Sequence, residues 1–228
     1  MIQLFGSICI FTVALARAAA ADNPSFVYNF KASDAAGIDG TIKVNYAAKD
    51  STVATITAEL DFSTVDQKKI TTFDGNCTGD VTSYKWHIHT GWNSAKSSDS
   101  LKLCSKTATG NHYDPLKACG PASEYVAEPE CKAKSLTYAC NPAAYMADPM
   151  VCEKGDLSGK FGALTPGSNH KVSEKWTDSH YPLASESTKT WSIVLHAVCG
   201  KETPRVSCAL GNEQKEPAKE DGHKKKCR

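Results

Sequence analysis

The chain has 228 residues, 41% of them hydrophobic and 22% charged, and a formal net charge of +1. That length and composition fit one folded domain and argue against a disordered chain. A near-neutral balance gives no reason to expect nucleic acid as a partner, since a strongly basic domain is the usual footprint of that function. Any charge the function uses must act locally.

In chain order, Ile8 to Leu15 form an apolar run followed by the small residues Ala16-Arg17-Ala18-Ala19-Ala20-Ala21. Residues 1–20 therefore read as a secretory signal, cleaved between Ala18 and Asp22, although no Lys or Arg precedes the apolar run. The run is shorter than the roughly 20 residues a membrane span needs, so no transmembrane segment is expected. Cys9 lies inside the signal. The mature chain keeps nine cysteines, at 77, 104, 119, 131, 140, 152, 199, 208 and 227. So many suit an oxidising, extracellular setting. No CxxC pair is present to suggest a zinc knuckle or a thioredoxin-type motif. Nine is odd, so at least one thiol is free or pairs outside the chain.

Several segments alternate with the period of two that a half-buried strand requires. They are Phe26–Phe30, Thr41–Tyr46 after the turn glycines Gly37 and Gly40, Val53–Leu60, Tyr84–His89, Trp191–His196 and Arg205–Leu210. No helical periodicity is sustained. Many short strands separated by turn signals predict an all-β sandwich or barrel. Asn76-Cys77-Thr78 is a glycosylation sequon, placing Asn76 as a candidate acceptor.

Within the fourth predicted strand, His87-Ile88-His89 sets two imidazoles on one face, as two ligands of one metal would be. Alone the signal is weak, and two half-exposed polar positions on the strand are the preferred reading. The stretch from Trp92 to Cys152 breaks the strand rhythm and carries five cysteines, at 104, 119, 131, 140 and 152. A loop of this length is usually functional or disordered, and the cysteines favour the first. It contains His112, held between Gly110 and Pro115. His196 ends an apolar strand, and Arg205 opens the next. His170 and His180 match no ligand pattern and read as loop or surface residues. Trp92, Tyr113 and Trp176 fit either the wall of a site or packing in loops. Beyond Gly211 the chain turns hydrophilic and ends in Lys224-Lys225-Lys226-Cys227-Arg228, so residues 211–228 read as a solvated, disordered tail with no lipid-anchor signal.

Taken in order, the motifs resemble the Cu/Zn superoxide dismutase family. They are His87-Ile88-His89, Cys104, Gly110-Asn111-His112-Tyr113-Asp114-Pro115, Gly155-Asp156-Leu157, Val194-Leu195-His196 and Arg205-Val206-Ser207-Cys208. The resemblance covers nearly all of the mature folded region and implies an eight-stranded Greek-key β-barrel domain over residues 22–210. It also implies a copper ion, one per chain, held by His87, His89, His112 and His196. Imidazole nitrogens suit Cu(II). By the same resemblance Cys104 pairs with Cys208, and Arg205 guides the superoxide anion, a role that suits a guanidinium in a site that excludes water. His112 becomes the residue that moves a proton during turnover.

Two departures refine the family reading. The zinc-containing members carry two further histidines, and here Gly120 (or Cys119 one place earlier) and Glu153 stand at those places. Only the aspartate, Asp156, remains. One carboxylate and His112 do not complete a zinc site, so zinc is not expected. Only eight residues separate His196 from Arg205, too few for a long electrostatic loop. Both losses resemble the copper-only branch secreted by eukaryotic microbes, in which Glu153 and Asp156 would orient His112 in place of zinc. Ligand histidines generally donate their second N–H to such a carboxylate.

The expected function is that of a secreted superoxide dismutase with no obligate protein partner. The alternative is an extracellular copper-binding module of the same fold without turnover. A zinc hydrolase would need an open zinc position and a general base, and no HExxH-type motif is present. Beyond Cys104 and Cys208, the cysteines at 119, 131, 140 and 152 are expected to form two bridges within the long loop, in any of three connectivities. Cys77 would pair with Cys199, leaving Cys227 free.

Overall fold

The structure is a computed structural model in which residues 23–34, 36–93 and 100–214 are described. The signal segment expected at 1–20, Cys9, Cys227 and the basic end of the tail lie outside these residues.

Seven strands form one curled antiparallel sheet: β1 (Ser25–Phe30), β2 (Asp39–Tyr46), β3 (Ala54–Asp61), β4 (Tyr84–His89), β5 (Lys171–Asp178), β6 (Ser192–Ala197) and β7 (Arg205–Glu213). Their spatial order is β4-β6-β7-β1-β2-β3-β5. Alternation does what the sequence pattern requires: Ile42, Val44 and Tyr46 of β2 and Ile56, Ala58 and Leu60 of β3 are buried on one face. Each such aliphatic side chain contributes about 1.5–3 kcal/mol when fully buried. β7 is the hinge of the sheet. Its first half pairs with β6, while Gly211–Glu213 pair with β1. The ordered chain thus runs past Leu210, where the sequence pattern placed the end of the domain.

The expected eight-stranded, purely β barrel is corrected on two counts. Seven strands form among the described residues, and the chain between them is partly helical, so the fold is mostly β. The described residues include six short helices: α1 (Gln67–Phe73), α2 (Ser100–Leu103), α3 (Lys106–Thr109), α4 (Pro129–Lys134), α5 (Pro142–Ala147) and α6 (Leu157–Phe161). All are seven residues or fewer, too short to leave a helical period in the sequence.

Among the described residues no strand pairs with the outer edge of β4, yet its backbone groups have partners, as an edge beside a core demands. Tyr84 exchanges two hydrogen bonds with Leu164, Ile88 donates to the Gly155 carbonyl and accepts from Tyr113, and Thr90 donates to the Asn111 carbonyl. The Ser158 hydroxyl takes the Trp86 amide proton, and the Trp86 indole donates to the Gly162 carbonyl. Irregular chain and α6 therefore occupy the place of an eighth strand. Gly155 is required there, because a Cβ would sit 2.7 Å from the Ile88 carbonyl oxygen. Across the gap, Trp86 of β4 and Trp176 of β5 meet with ring centroids 5.0 Å apart, and Phe161 of α6 packs against both. The curl closes through aromatic side chains instead of a backbone ladder.

Among the described residues, four disulfides join Cys77 to Cys199, Cys104 to Cys208, Cys119 to Cys131 and Cys140 to Cys152. The last two each close a loop with a sequence separation of 12 and so staple the long segment between β4 and β5. Closing loops of that size contributes about 3 kcal/mol apiece in the chain-entropy account.

Candidate metal centre

The site is built where β4, β6 and β7 meet the loop after α3. His87 and His89 project from the same face of β4, two residues apart. β6 runs beside β4 with His196 opposite Lys85, which puts His196 on that face too. The register between β6 and β7 shifts at Leu195/His196, so that His196 faces Arg205. A bulge of this kind re-aims a side chain, and here it brings the His196 imidazole and the Arg205 guanidinium to one side. The fourth histidine comes from the loop: His112 bridges to His89, and its amide donates to the Ala122 carbonyl.

All four imidazoles are buried, and one ligand atom from each lies within 4.8 Å of all the others. Three rings have one nitrogen fixed from outside. His89 Nδ1 lies 3.1 Å from the Gly110 carbonyl, His196 Nδ1 lies 3.0 Å from the Thr203 carbonyl, and His112 Nδ1 lies 2.7 Å from Glu153 Oε2. His87 Nε2 is 3.5 Å from Asp156 Oδ1. That leaves His87 Nδ1 and the Nε2 atoms of His89, His112 and His196 as the inward set. His87 Nδ1 and His112 Nε2 are buried with no hydrogen-bond partner, and the Nε2 atoms of His89 and His196 stand 3.3 Å apart. Orphaned buried nitrogens are costly unless something binds them. A borderline metal ion that takes imidazole fits this donor set, and copper is foremost among those.

The electrostatics agree. Burial lowers every one of the four imidazole pKa values, to about 4 at His112 and about 3 at His196, and neighbouring histidines lower those of His87, His89 and His196 further. Neutral imidazoles are the form that binds metal. Burial, reinforced by the Asp156 charge, pushes the Glu153 carboxyl well above the ordinary carboxylate range. Arg205 is lowered to about 10 by burial and stays protonated. Its Nη1 is held 2.7 Å from both the Gly110 carbonyl and the Thr109 hydroxyl, and 3.3 Å from His89 Nδ1.

Every residue proposed for the copper site from sequence is thus brought to one place: His87, His89, His112, His196, Arg205, Glu153 and Asp156. A cleft of about 360 Å³ beside His87 and His112 is lined by Lys85, Tyr138, Glu153, Asp156 and His196. Gly120 stands where a zinc-binding histidine was looked for, and a Cβ there would collide with Glu153 Oε1. The glutamate occupies the space a ligand side chain would need. His170 and His180 are exposed and stand apart from the cluster. Trp176 packs between sheet edges, Tyr113 packs at a tilt against Trp191 and donates to Glu186, and Trp92 packs against the Cys104–Cys208 bridge. Asn76 is exposed in the turn after α1. Asp114, Cys119 and Cys131 also converge, but the two sulfurs are bonded to each other and offer no thiolate.

The fold is that of Candida albicans superoxide dismutase 5. Its Cu(II) form superposes with a TM-score of 0.52 at 22% identity, covering 86% of this chain and 95% of that one. A variant of the same protein gives 0.52 at 23% identity, with 87% and 94% covered. A cell-surface Cu-only superoxide dismutase of Arthroderma benhamiae is 30% identical over 116 residues. In sequence, about half of this chain is similar to a copper-only superoxide dismutase. The sequence match covers 48% of this chain and only 28% of the Arthroderma protein, so the chain spans little more than a quarter of that relative's length. No model of a known protein family matches the sequence. Among the described residues, no helix is long and apolar enough to cross a membrane.

The sequence pattern missed one participant. Tyr138 donates its hydroxyl proton to Asp156 Oδ2 at 2.8 Å and accepts the Glu153 amide proton at 3.1 Å. It sits between cysteines in a loop with no periodic pattern, so only its position in space marks it.

Proposed function

We propose that this chain is a secreted copper-only superoxide dismutase that takes one copper and no zinc. The observation that carries the reading is the bond between His112 Nδ1 and Glu153 Oε2 at 2.7 Å. The nitrogen that would bridge to a second metal is already occupied by a carboxylate, while Nε2 stays directed at the other three histidines.

His87 Nδ1 with His89, His112 and His196 Nε2 would hold the ion. Copper bound there would supply one-electron chemistry, oxidising one superoxide to dioxygen and reducing a second to hydrogen peroxide with two protons. The protein's own groups do the rest. Arg205 presents a fixed positive charge beside His89, attracting an anion of charge −1 into a buried site where Coulomb attraction is stronger than in water. Its two fixed contacts orient the guanidinium before the substrate arrives. Glu153 holds the His112 ring through Nδ1, so a proton carried at Nε2 faces the substrate. The Cys104–Cys208 bridge ties the start of the active-site loop to β7, which carries Arg205. Location outside the cell fits the four disulfides and the signal-like leader.

The deciding experiment is reconstitution of the purified mature chain with copper alone. Rapid superoxide loss with about one copper and no zinc per chain supports the enzyme. Copper uptake without turnover leaves the chain a copper-binding module of the same fold.

A further inference from the structure

The forty residues between His112 and Glu153 form a segment stapled twice, by Cys119–Cys131 and Cys140–Cys152. The second bridge has a particular placement. Cys140 lies two residues after Tyr138, and Cys152 immediately precedes Glu153. The disulfide therefore fastens the backbone of Tyr138 to that of Glu153.

The phenol makes use of this proximity. Its oxygen accepts the Glu153 amide proton at 3.1 Å, and its proton goes to Asp156 Oδ2 at 2.8 Å. Glu153 Oε2 lies 2.7 Å from His112 Nδ1, and Asp156 Oδ1 lies 3.5 Å from His87 Nε2. One hydroxyl thus links the two acidic residues that touch two of the four histidines. The Tyr138 ring also passes close to Gly120, at the wall where a ligand side chain is missing. Asp156 Oδ1 is further committed to the Gly159 amide at 2.7 Å, capping α6. Without Tyr138, Oδ2 would lose its hydroxyl donor and the Glu153 amide would lose its acceptor, at the wall of the cleft beside His87 and His112.

We infer that Tyr138 is a positioning residue for the copper centre, the covalently stapled insert supplying through its hydroxyl the rigidity that a second metal ion would otherwise provide. The inference rests on the copper reading above. It acts through Glu153 on His112 and through Asp156 on His87, so its removal should disturb the geometry of the copper and not only the rate.

The test compares the full mature chain, its Tyr138→Phe variant and a control, Leu136→Ala, all loaded with copper. Leu136 is 86% exposed in the same segment. The readouts are copper content, the Cu(II) electron paramagnetic resonance spectrum and the pH profile of superoxide loss. Tyr138→Phe should change the hyperfine splitting and lower activity about tenfold or more, the range seen when groups that orient metal ligands are removed. Leu136→Ala should match wild type in all three. Superimposable spectra and equal activity for Tyr138→Phe overturn the inference. A wild-type chain that binds copper without turnover ends the enzyme reading alone, and the spectra then decide the role of Tyr138. A wild-type chain that takes up no copper overturns both. Should Tyr138→Phe fail to fold, nuclear magnetic resonance of the copper-free wild type decides: a slowly exchanging Tyr138 hydroxyl proton is required, and its absence overturns the inference.

Discussion

Glu153, buried to 1% exposure, meets His112 through a single 2.7 Å contact between Oε2 and Nδ1. The bond fixes both the tilt of the ring and which nitrogen remains for the metal. Glu153→Gln keeps the shape and an acceptor oxygen but removes the ionisable carboxyl, and should lower copper affinity or turnover about tenfold. Glu153→Ala removes the contact and should cost nearer a hundredfold, the upper end for groups that orient metal ligands. Competition with a calibrated copper chelator, run alongside superoxide assays, checks both. Equal affinity and turnover in all three proteins would show that His112 is oriented by other contacts.

Arg205 offers a different signature. Its guanidinium is anchored at the Thr109 hydroxyl and the Gly110 carbonyl, so removing it should leave copper content unchanged. Arg205→Ala should reduce kcat/KM about tenfold and flatten its dependence on ionic strength, because attraction of an anion is what is lost. Arg205→Lys should recover only part, since an ammonium cannot reproduce a planar fork. Pulse radiolysis across a salt series measures this.

Protons compete with folding in the metal-free protein. His112 and His196 are lowered to about 4 and about 3 when folded, against 6.5 unfolded, so below pH 6.5 the unfolded chain binds more protons. Stability must then fall as pH drops from 6.5 through about 4, by about 3 kcal/mol for His112 alone. Glu153, raised in the folded state, works in the opposite sense over part of this window, but four histidines face one glutamate. Urea midpoints of the copper-free chain at pH 7 and pH 5 should show clear destabilisation at the lower value. Equal midpoints would mean that the histidines do not stay neutral.

Away from the metal, Lys160 of α6 is buried against Asp178 of β5, 3.0 Å apart, with Asp178 also taking the Tyr145 hydroxyl and the His180 amide. Lys160→Met would strand a buried carboxylate and should destabilise the fold by about 3–5 kcal/mol. Lys160→Met combined with Asp178→Asn removes both charges while keeping acceptors for Tyr145 and His180, and should regain more than half. Chemical denaturation of the two variants provides the comparison.

Six of the seven strands were legible because each alternates apolar and polar residues over at least five positions. β5 was not. Its sequence, Lys171 to Asp178, buries only Val172 and Asp178, and an aspartate on the inner face inverts the expected pattern. The short helices were invisible for a related reason: α1 depends on a single buried residue, Ile70, and on the Asp66 side chain capping the Lys69 amide.

The candidate site divides along the same line. Local chain geometry alone put His87 and His89 on one face, and the family resemblance carried by the order of motifs assembled His112, His196, Arg205, Glu153 and Asp156 into one expectation. Which ring nitrogen faces inward, which strand edge stays unpaired and where Tyr138 stands were decided only in three dimensions. The acceptors that turn the rings are the Gly110 and Thr203 carbonyls and Glu153, and the bond joining Glu153 to His112 spans 41 residues. A periodic pattern reports which face of its own strand a residue occupies. It carries nothing about a contact made across the sheet by a segment that has no period of its own.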